Sequence, residues 1–282
     1  MSTVAIVGAG EIGGATAQAL ASSDRVGRVV LIDPAGSLAA GKALDIQQSG
    51  PIAGTHVRLE GTDDPGRAIG CAACIIADRG AAGAGEWRGD EGTAILRQVM
   101  ASVPDAPIVL AGARQADLLA YAVIEAGVPR TRIVGSAPAA LASALAAVVA
   151  LEARCSPSEV ALTVLGSPPA SFVVPWGEAS IGGYALPQVL TPPQLSRIEA
   201  RVAHLWPPGA YALGVAAALI VRAILSSSRR SHSVLAVLGG EFGVRNRVGV
   251  LPARLAPHGI AQTRTPELTP RERVQVQTAL GG

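Results

Sequence analysis

The sequence predicts an α/β chain whose first half is a doubly wound parallel sheet and whose second half is a distinct α+β unit. Short apolar runs alternate with helix-length connections, as parallel strands require. A glycine-rich turn joins the first run to the helix after it. Beyond Gly135 the strands come closer together, and capping residues announce helices.

Five runs read as strands: Val4 to Val7, Val29 to Ile32, Cys74 to Ala77, Ile108 to Leu110, and Ile133 to Val134. A long helix follows Gly135, with Leu141, Leu145, Val148 and Leu151 at helical spacing, as in a buried helix. Val160 to Leu165 and Phe172 to Val174 read as strands, as do Ser233 to Leu238 and Arg247 to Leu255. Thr191-Pro192-Pro193-Gln194 and Thr269-Pro270-Arg271-Glu272 each set a hydroxyl, a first-turn proline and a third-position Gln or Glu, the pattern of a capping box. The expected division is a first domain over 1–136 and a second over 137–282, with a broad shared interface.

The turn carries the ligand prediction. Val4 to Val7 leads into Gly8-Ala9-Gly10-Glu11-Ile12-Gly13. Gly8 permits a tight turn, Gly10 lets the backbone approach a pyrophosphate, and Gly13 lets the helix pack on the strand. Glu11 and Ile12 open a helix whose first N–H groups form a seat for an anion. Asp33 closes the second run twenty residues after Gly13, placed to accept from adenosine ribose hydroxyls and to repel a 2′-phosphate. NAD is therefore expected rather than NADP, with Ala77, at the end of the third run, beside its path.

Composition narrows the alternatives. With 49% apolar residues and a mean hydropathy of +0.39, the 282 residues can bury a sizeable core. The 23 basic and 21 acidic residues are dispersed and aromatics are few, so no nucleic-acid footprint is visible. Lys42 is the sole lysine and lies in an ordinary helical stretch, which sets Schiff-base chemistry aside. The longest mainly apolar run, Ala137 to Leu151, is short for a bilayer, and the first apolar run opens onto glycines rather than a leader's cleavage site; a soluble cytoplasmic protein is expected. Cys71 and Cys74 lack a second ligand pair for a metal. Residues three apart on a strand point to opposite faces, so both read as small buried residues.

At this point the chain resembles the L-lactate/malate dehydrogenase family over nearly its whole length. The resemblance rests on Val7 to Gly14, on Leu31-Ile32-Asp33 with Gly41-Lys42-Ala43-Leu44-Asp45-Ile46, and on Gly127-Val128-Pro129 with Arg132-Ile133-Val134-Gly135-Ser136. Val164-Leu165-Gly166 and Gly239-Gly240-Glu241-Phe242-Gly243 complete it. It implies a Rossmann domain, a mixed α/β substrate domain, NAD, and a homodimer or homotetramer. It also implies hydride transfer between nicotinamide and C2 of a 2-hydroxy or 2-oxo acid, served by a histidine, its Asp partner and a carboxylate-binding arginine.

By the same resemblance this chain departs from the pattern at those positions. Pro168 stands at the histidine, Ala142 at its Asp partner and Leu145 at the arginine, so no catalytic residue is assigned. The Thr-Asn-Pro turn beside the nicotinamide becomes Ala113-Arg114-Gln115. In the loop Gly80 to Arg88, Arg88 matches the carbonyl-polarising arginine and is the expected substrate contact, while Ala82 takes the position that reads the substrate's far end. Asp78 and Arg79 replace the family's glycine and its neighbour; Arg79 suits either a phosphate or an ion pair with Asp78. Of the four histidines, only His204 falls near the expected pocket wall.

The first expectation is thus a family member that binds NAD and has lost family-type turnover, a pseudoenzyme that acts alone or beside an active paralogue, with a small anionic or apolar ligand in the altered pocket. The alternative is an NAD-dependent oxidoreductase of a less acidic alcohol or ketone; a third reading is a structural protein without nucleotide.

Overall fold

The computed structural model describes residues 2–23, 25–81 and 85–281. The first half runs β1 (Ser2–Val7), α1 (Glu11–Ala21), β2 (Val26–Ile32), α2 (Gly36–Ala53), β3 (Arg58–Thr62), β4 (Ala73–Ile76), α3 (Gly89–Ser102), β5 (Ile108–Leu110), α4 (Ala116–Ala120) and β6 (Ile133–Gly135). These strands pair in parallel in the order β3-β2-β1-β4-β5-β6. The chain reverses direction across the sheet between β1 and β4, and such a switch point opens a crevice at the carboxyl ends of the strands.

The second half runs α5 (Ala137–Ala153), β7 (Val160–Ala161), β8 (Leu165–Ser167), β9 (Ser171–Val173), β10 (Ser180–Ile181), β11 (Tyr184–Ala185), α6 (Leu186–Val189), α7 (Pro192–Val202), α8 (Ala210–Ser226), β12 (Ser231–Gly239), β13 (Arg245–Ala256), β14 (Gly259–Thr263) and α9 (Pro270–Ala279). β12 joins the parallel sheet antiparallel to β6, with Leu235 opposite Gly135, and β13, β8 and β9 continue it. With β14 on β13, the described residues form one mixed sheet of 11 strands; β7, β10 and β11 make a small second sheet. The doubly wound α/β class expected from the sequence is therefore present, and its sheet passes through the junction at residue 136.

One apolar core likewise spans both halves, bringing Val4, Ile6 and Leu31 together with Ala217, Ile220, Leu251 and Leu280. α8 packs closely on α1: a Cβ on Gly214 would lie 2.6 Å from the Ala15 Cβ. No described helix is long and apolar enough to cross a membrane.

Several elements differ from expectation for local reasons. β3 buries only Leu59 and carries Gly61, so neither alternation nor an apolar run betrays this edge strand. The expected strand Val160 to Leu165 divides: β7 joins the small sheet, whereas Leu165 begins β8 in the large one. On α5 the buried row is Leu141, Leu145 and Val149; Val148 is half-buried, and Leu151 is 76% exposed in the last turn. α8 has Gly209 as its N-cap with no side-chain cap bond, hence no start signal. At Thr269 the predicted capping box is complete, while at Thr191 only the return bond is made, Gln194 Oε1 accepting from the Thr191 N–H at 2.9 Å. Cys71 and Cys74 share one core rather than opposite faces, because Cys71 precedes β4 in a turn. Contact between the thiols lowers the Cys71 pKa and raises that of Cys74, whose burial pushes it up further.

Candidate nucleotide and active-site cleft

The turn between β1 and α1 sits at the switch point, as the glycine pattern predicts. The Gly8 N–H donates to the Ile32 carbonyl at 2.7 Å and the Gly10 N–H to the Asp78 carbonyl at 3.0 Å. Lys42 reaches from α2 to place Nζ 2.7 Å from the Gly10 carbonyl oxygen, so the lone lysine braces the turn. Gly10 is the N-cap of α1 and has no side chain to satisfy the first N–H groups, while Glu11 projects outward. Such a helix end attracts an anion.

The chain supplies that anion itself. Asp78, immediately after Ala77, directs its carboxylate onto the end of α1, accepting from the Ile12 N–H at 3.1 Å and the Gly13 N–H at 2.9 Å. It is 7% exposed. A Cβ on Gly10 would fall 2.3 Å from the Asp78 Cγ, so the clearance expected to admit a pyrophosphate is filled by this side chain.

Asp33 is also turned inward. Its Oδ2 accepts from the Ala9 and Gly80 N–H groups, each at 2.8 Å, and its Oδ1 from the Ala35 N–H at 2.9 Å, leaving the residue 2% exposed. It ties the glycine turn to the segment after β4 rather than presenting free lone pairs at the mouth. Ala77 is buried, its N–H bonded to the Val7 carbonyl at 2.9 Å and its carbonyl accepting from the Gln115 Nε2 at 3.1 Å. Glu86 closes the far end, accepting from the Ala113 and Arg114 N–H groups at 3.0 and 2.7 Å. The strand-turn-helix frame thus suits a dinucleotide, and the Asp78 carboxylate occupies its anion seat.

Asp78 and Glu86 face each other as an isolated antiparallel bridge, and the Arg79 N–H donates to the Gly85 carbonyl at 3.2 Å. Arg79 does not pair with Asp78. Its guanidinium lies 5.6 Å from the Trp87 ring centroid and 2.7 Å from Glu91, which holds it to the outer side of the segment. Ala82 lies outside the described residues.

At the substrate end, Arg88 caps α3 and lines an open cavity of about 820 Å³ with Arg114, Asp117, Pro168, Trp206 and Pro207. Pro168 follows β8 and is half-buried. Ala142 and Leu145 lie on α5; Leu145 is fully buried against Leu141, Val149 and Val164, so a guanidinium there would displace core. None of the four histidines lines this cavity. His204 is exposed on a short turn, and the wall is made by the residues after it. His232 starts β12 elsewhere, with burial holding its pKa below the ordinary histidine value. Among the described residues no His, Cys, Asp or Glu cluster could hold a metal.

Sequence reasoning located the glycine turn, but missed the inward network of Asp33 and the use of Asp78, Glu86 and Gln115. The available signal was an acidic residue directly after the strand that faces the glycine turn.

A doubly wound half with its glycine turn at the switch point, followed by an α+β half that closes over a cleft, defines a dehydrogenase-type architecture. A malate dehydrogenase of Thioalkalivibrio sulfidiphilus is 31% identical over 299 aligned positions that cover 100% of this chain and 97% of that one. The malate dehydrogenase structure from Salinibacter ruber superposes with a TM-score of 0.87 at 27% identity, covering 99% of this chain and 94% of that one. A lactate dehydrogenase from Cryptosporidium parvum, solved with lactic acid and β-nicotinamide adenine dinucleotide, shares the fold with a TM-score of 0.88 at 21% identity, over 99% and 94% of the two chains. No protein-family model matches the chain. The chain belongs to the malate/lactate dehydrogenase family.

Proposed function

We propose that this chain is a nucleotide-binding member of the family, with NAD as its nucleotide, in which 2-hydroxy acid turnover is negligible. The observation that carries this reading is the cavity beside Arg88 and Arg114: none of the four histidines is among its described lining residues, whereas Pro168, which by the resemblance stands at the family's proton carrier, is. Losing a general acid/base costs about 10² to 10⁴ in rate. Arg88 and Arg114 can hold an anion, but an arginine cannot exchange a proton near neutral pH. Leu145, which by the resemblance stands at the family's carboxylate-binding arginine, is packed in the core and supports the same reading. The test is NADH oxidation by purified protein offered a panel of 2-oxo acids and neutral ketones, with NADH binding measured separately by calorimetry. Binding without turnover is expected; turnover of any panel member would refute the inactivity.

The exposed apolar row Tyr211, Val215 and Leu219 on α8, at i, i+4 and i+8, supports homo-oligomerisation. Light scattering should give a mass above that of one 28.3 kDa chain; a monomer would overturn this point.

A further inference from the structure

We propose that Asp78 is an internal competitor for the anion seat of the nucleotide cleft, so that a pyrophosphate-bearing nucleotide binds only by displacing this carboxylate. The inference rests on the NAD reading above and concerns what sets that affinity.

The geometry is that of a bound anion. Both carboxylate oxygens of Asp78 are engaged by consecutive N–H groups of the first turn of α1, at 3.1 and 2.9 Å. The side chain fills the space beside Gly10 that the absence of a Cβ creates. The backbone on either side is anchored as well: the Asp78 carbonyl accepts from the Gly10 N–H, and the Arg79 N–H donates to the Gly85 carbonyl. An incoming pyrophosphate would meet three obstacles at once: occupied N–H donors, occupied volume, and a like charge in a site screened from solvent. Glu86 adds a second carboxylate on the Ala113 and Arg114 N–H groups, so both ends of the segment bring negative charge into the cleft. The described lining of the smaller cavity at this point includes Glu11, Asp78 and Glu86 against Arg88 and Arg114. Asp78 acts on the nucleotide by exclusion and takes no part in chemistry.

The experiment compares the unmodified chain with Asp78→Ala and Asp78→Asn by calorimetry, using NADH, ADP-ribose and adenosine as probes, with a thermal melt of each variant to establish folding. Asp78→Ala should bind NADH and ADP-ribose at least tenfold more tightly. Asp78→Asn, which keeps the bulk and loses the charge, should fall between, and adenosine, which has no phosphate, should bind all three alike. Equal NADH affinity in the unmodified chain and both variants would overturn the role of Asp78 and leave the NAD reading intact. An equal gain for adenosine would also overturn it, since the effect would then be a general loosening. No NADH binding to any of the three would overturn the NAD reading, and this inference with it.

Discussion

Replacing Asp33 by alanine removes one carboxylate on which three backbone donors converge, from Ala9, Gly80 and Ala35 at 2.8, 2.8 and 2.9 Å. A buried donor left without a partner costs about 1 to 3 kcal/mol. The Ala9 donor is fully buried, whereas Gly80 and Ala35 are both partly buried and recover bonds to water. Relief of the carboxylate's own burial offsets part of the loss, which leaves a destabilisation of about 2 to 4 kcal/mol for Asp33→Ala. Asp33→Asn keeps one acceptor oxygen for Ala9 and Gly80 and sets an amide against Ala35, so about 1 to 3 kcal/mol is expected. The assay is equilibrium denaturation without nucleotide. If Asp33→Ala unfolds at the same denaturant concentration as the unmodified chain, the inward network is wrong, and Asp33 is free for a ligand.

Four further outcomes are expected. Leu145→Arg should destabilise the chain by about 3 to 5 kcal/mol, because an unpaired guanidinium would enter the core, and the companion Pro168→His should gain no turnover on 2-oxo acids. Burial, with a smaller push from Arg230, lowers the His232 pKa, and its buried Nε2 has no hydrogen-bond partner. The folded state therefore favours the neutral ring: its stability is full above the ordinary value of about 6.5 and falls as pH drops below it, a slope that His232→Gln should flatten in melts taken from pH 7 to 5. Glu91→Gln breaks an exposed ion pair with Arg79 and should shift stability by less than about 1 kcal/mol.

The parallel half was legible because each buried strand is a short apolar run and each turn carries its own chemistry, as at Gly8 to Gly13. Where burial is one-sided or slight, as in β3 and β14, the pattern fades. α8 was hidden for a different reason: its first turn begins at a glycine, without a capping side chain. Of the three positions singled out by residue identity, Pro168 lines the cleft, while Ala142 and Leu145 lie on α5 against the core. The contact of Asp78 with Ile12 and Gly13 joins residues 66 and 65 positions apart, and neither segment alone discloses it.

The passage of the sheet from β6 to β12 bears on how the chain can be divided. A fragment ending at residue 136 would leave the outer side of β6 unpaired and strip α8 from α1, laying bare the face of α1 around Ala15. An open strand edge beside uncovered apolar surface invites self-association. The two halves distinguished by sequence pattern are therefore not autonomous folding units: either piece produced alone would be expected in aggregates, and recovery of a native state would depend on supplying its complement.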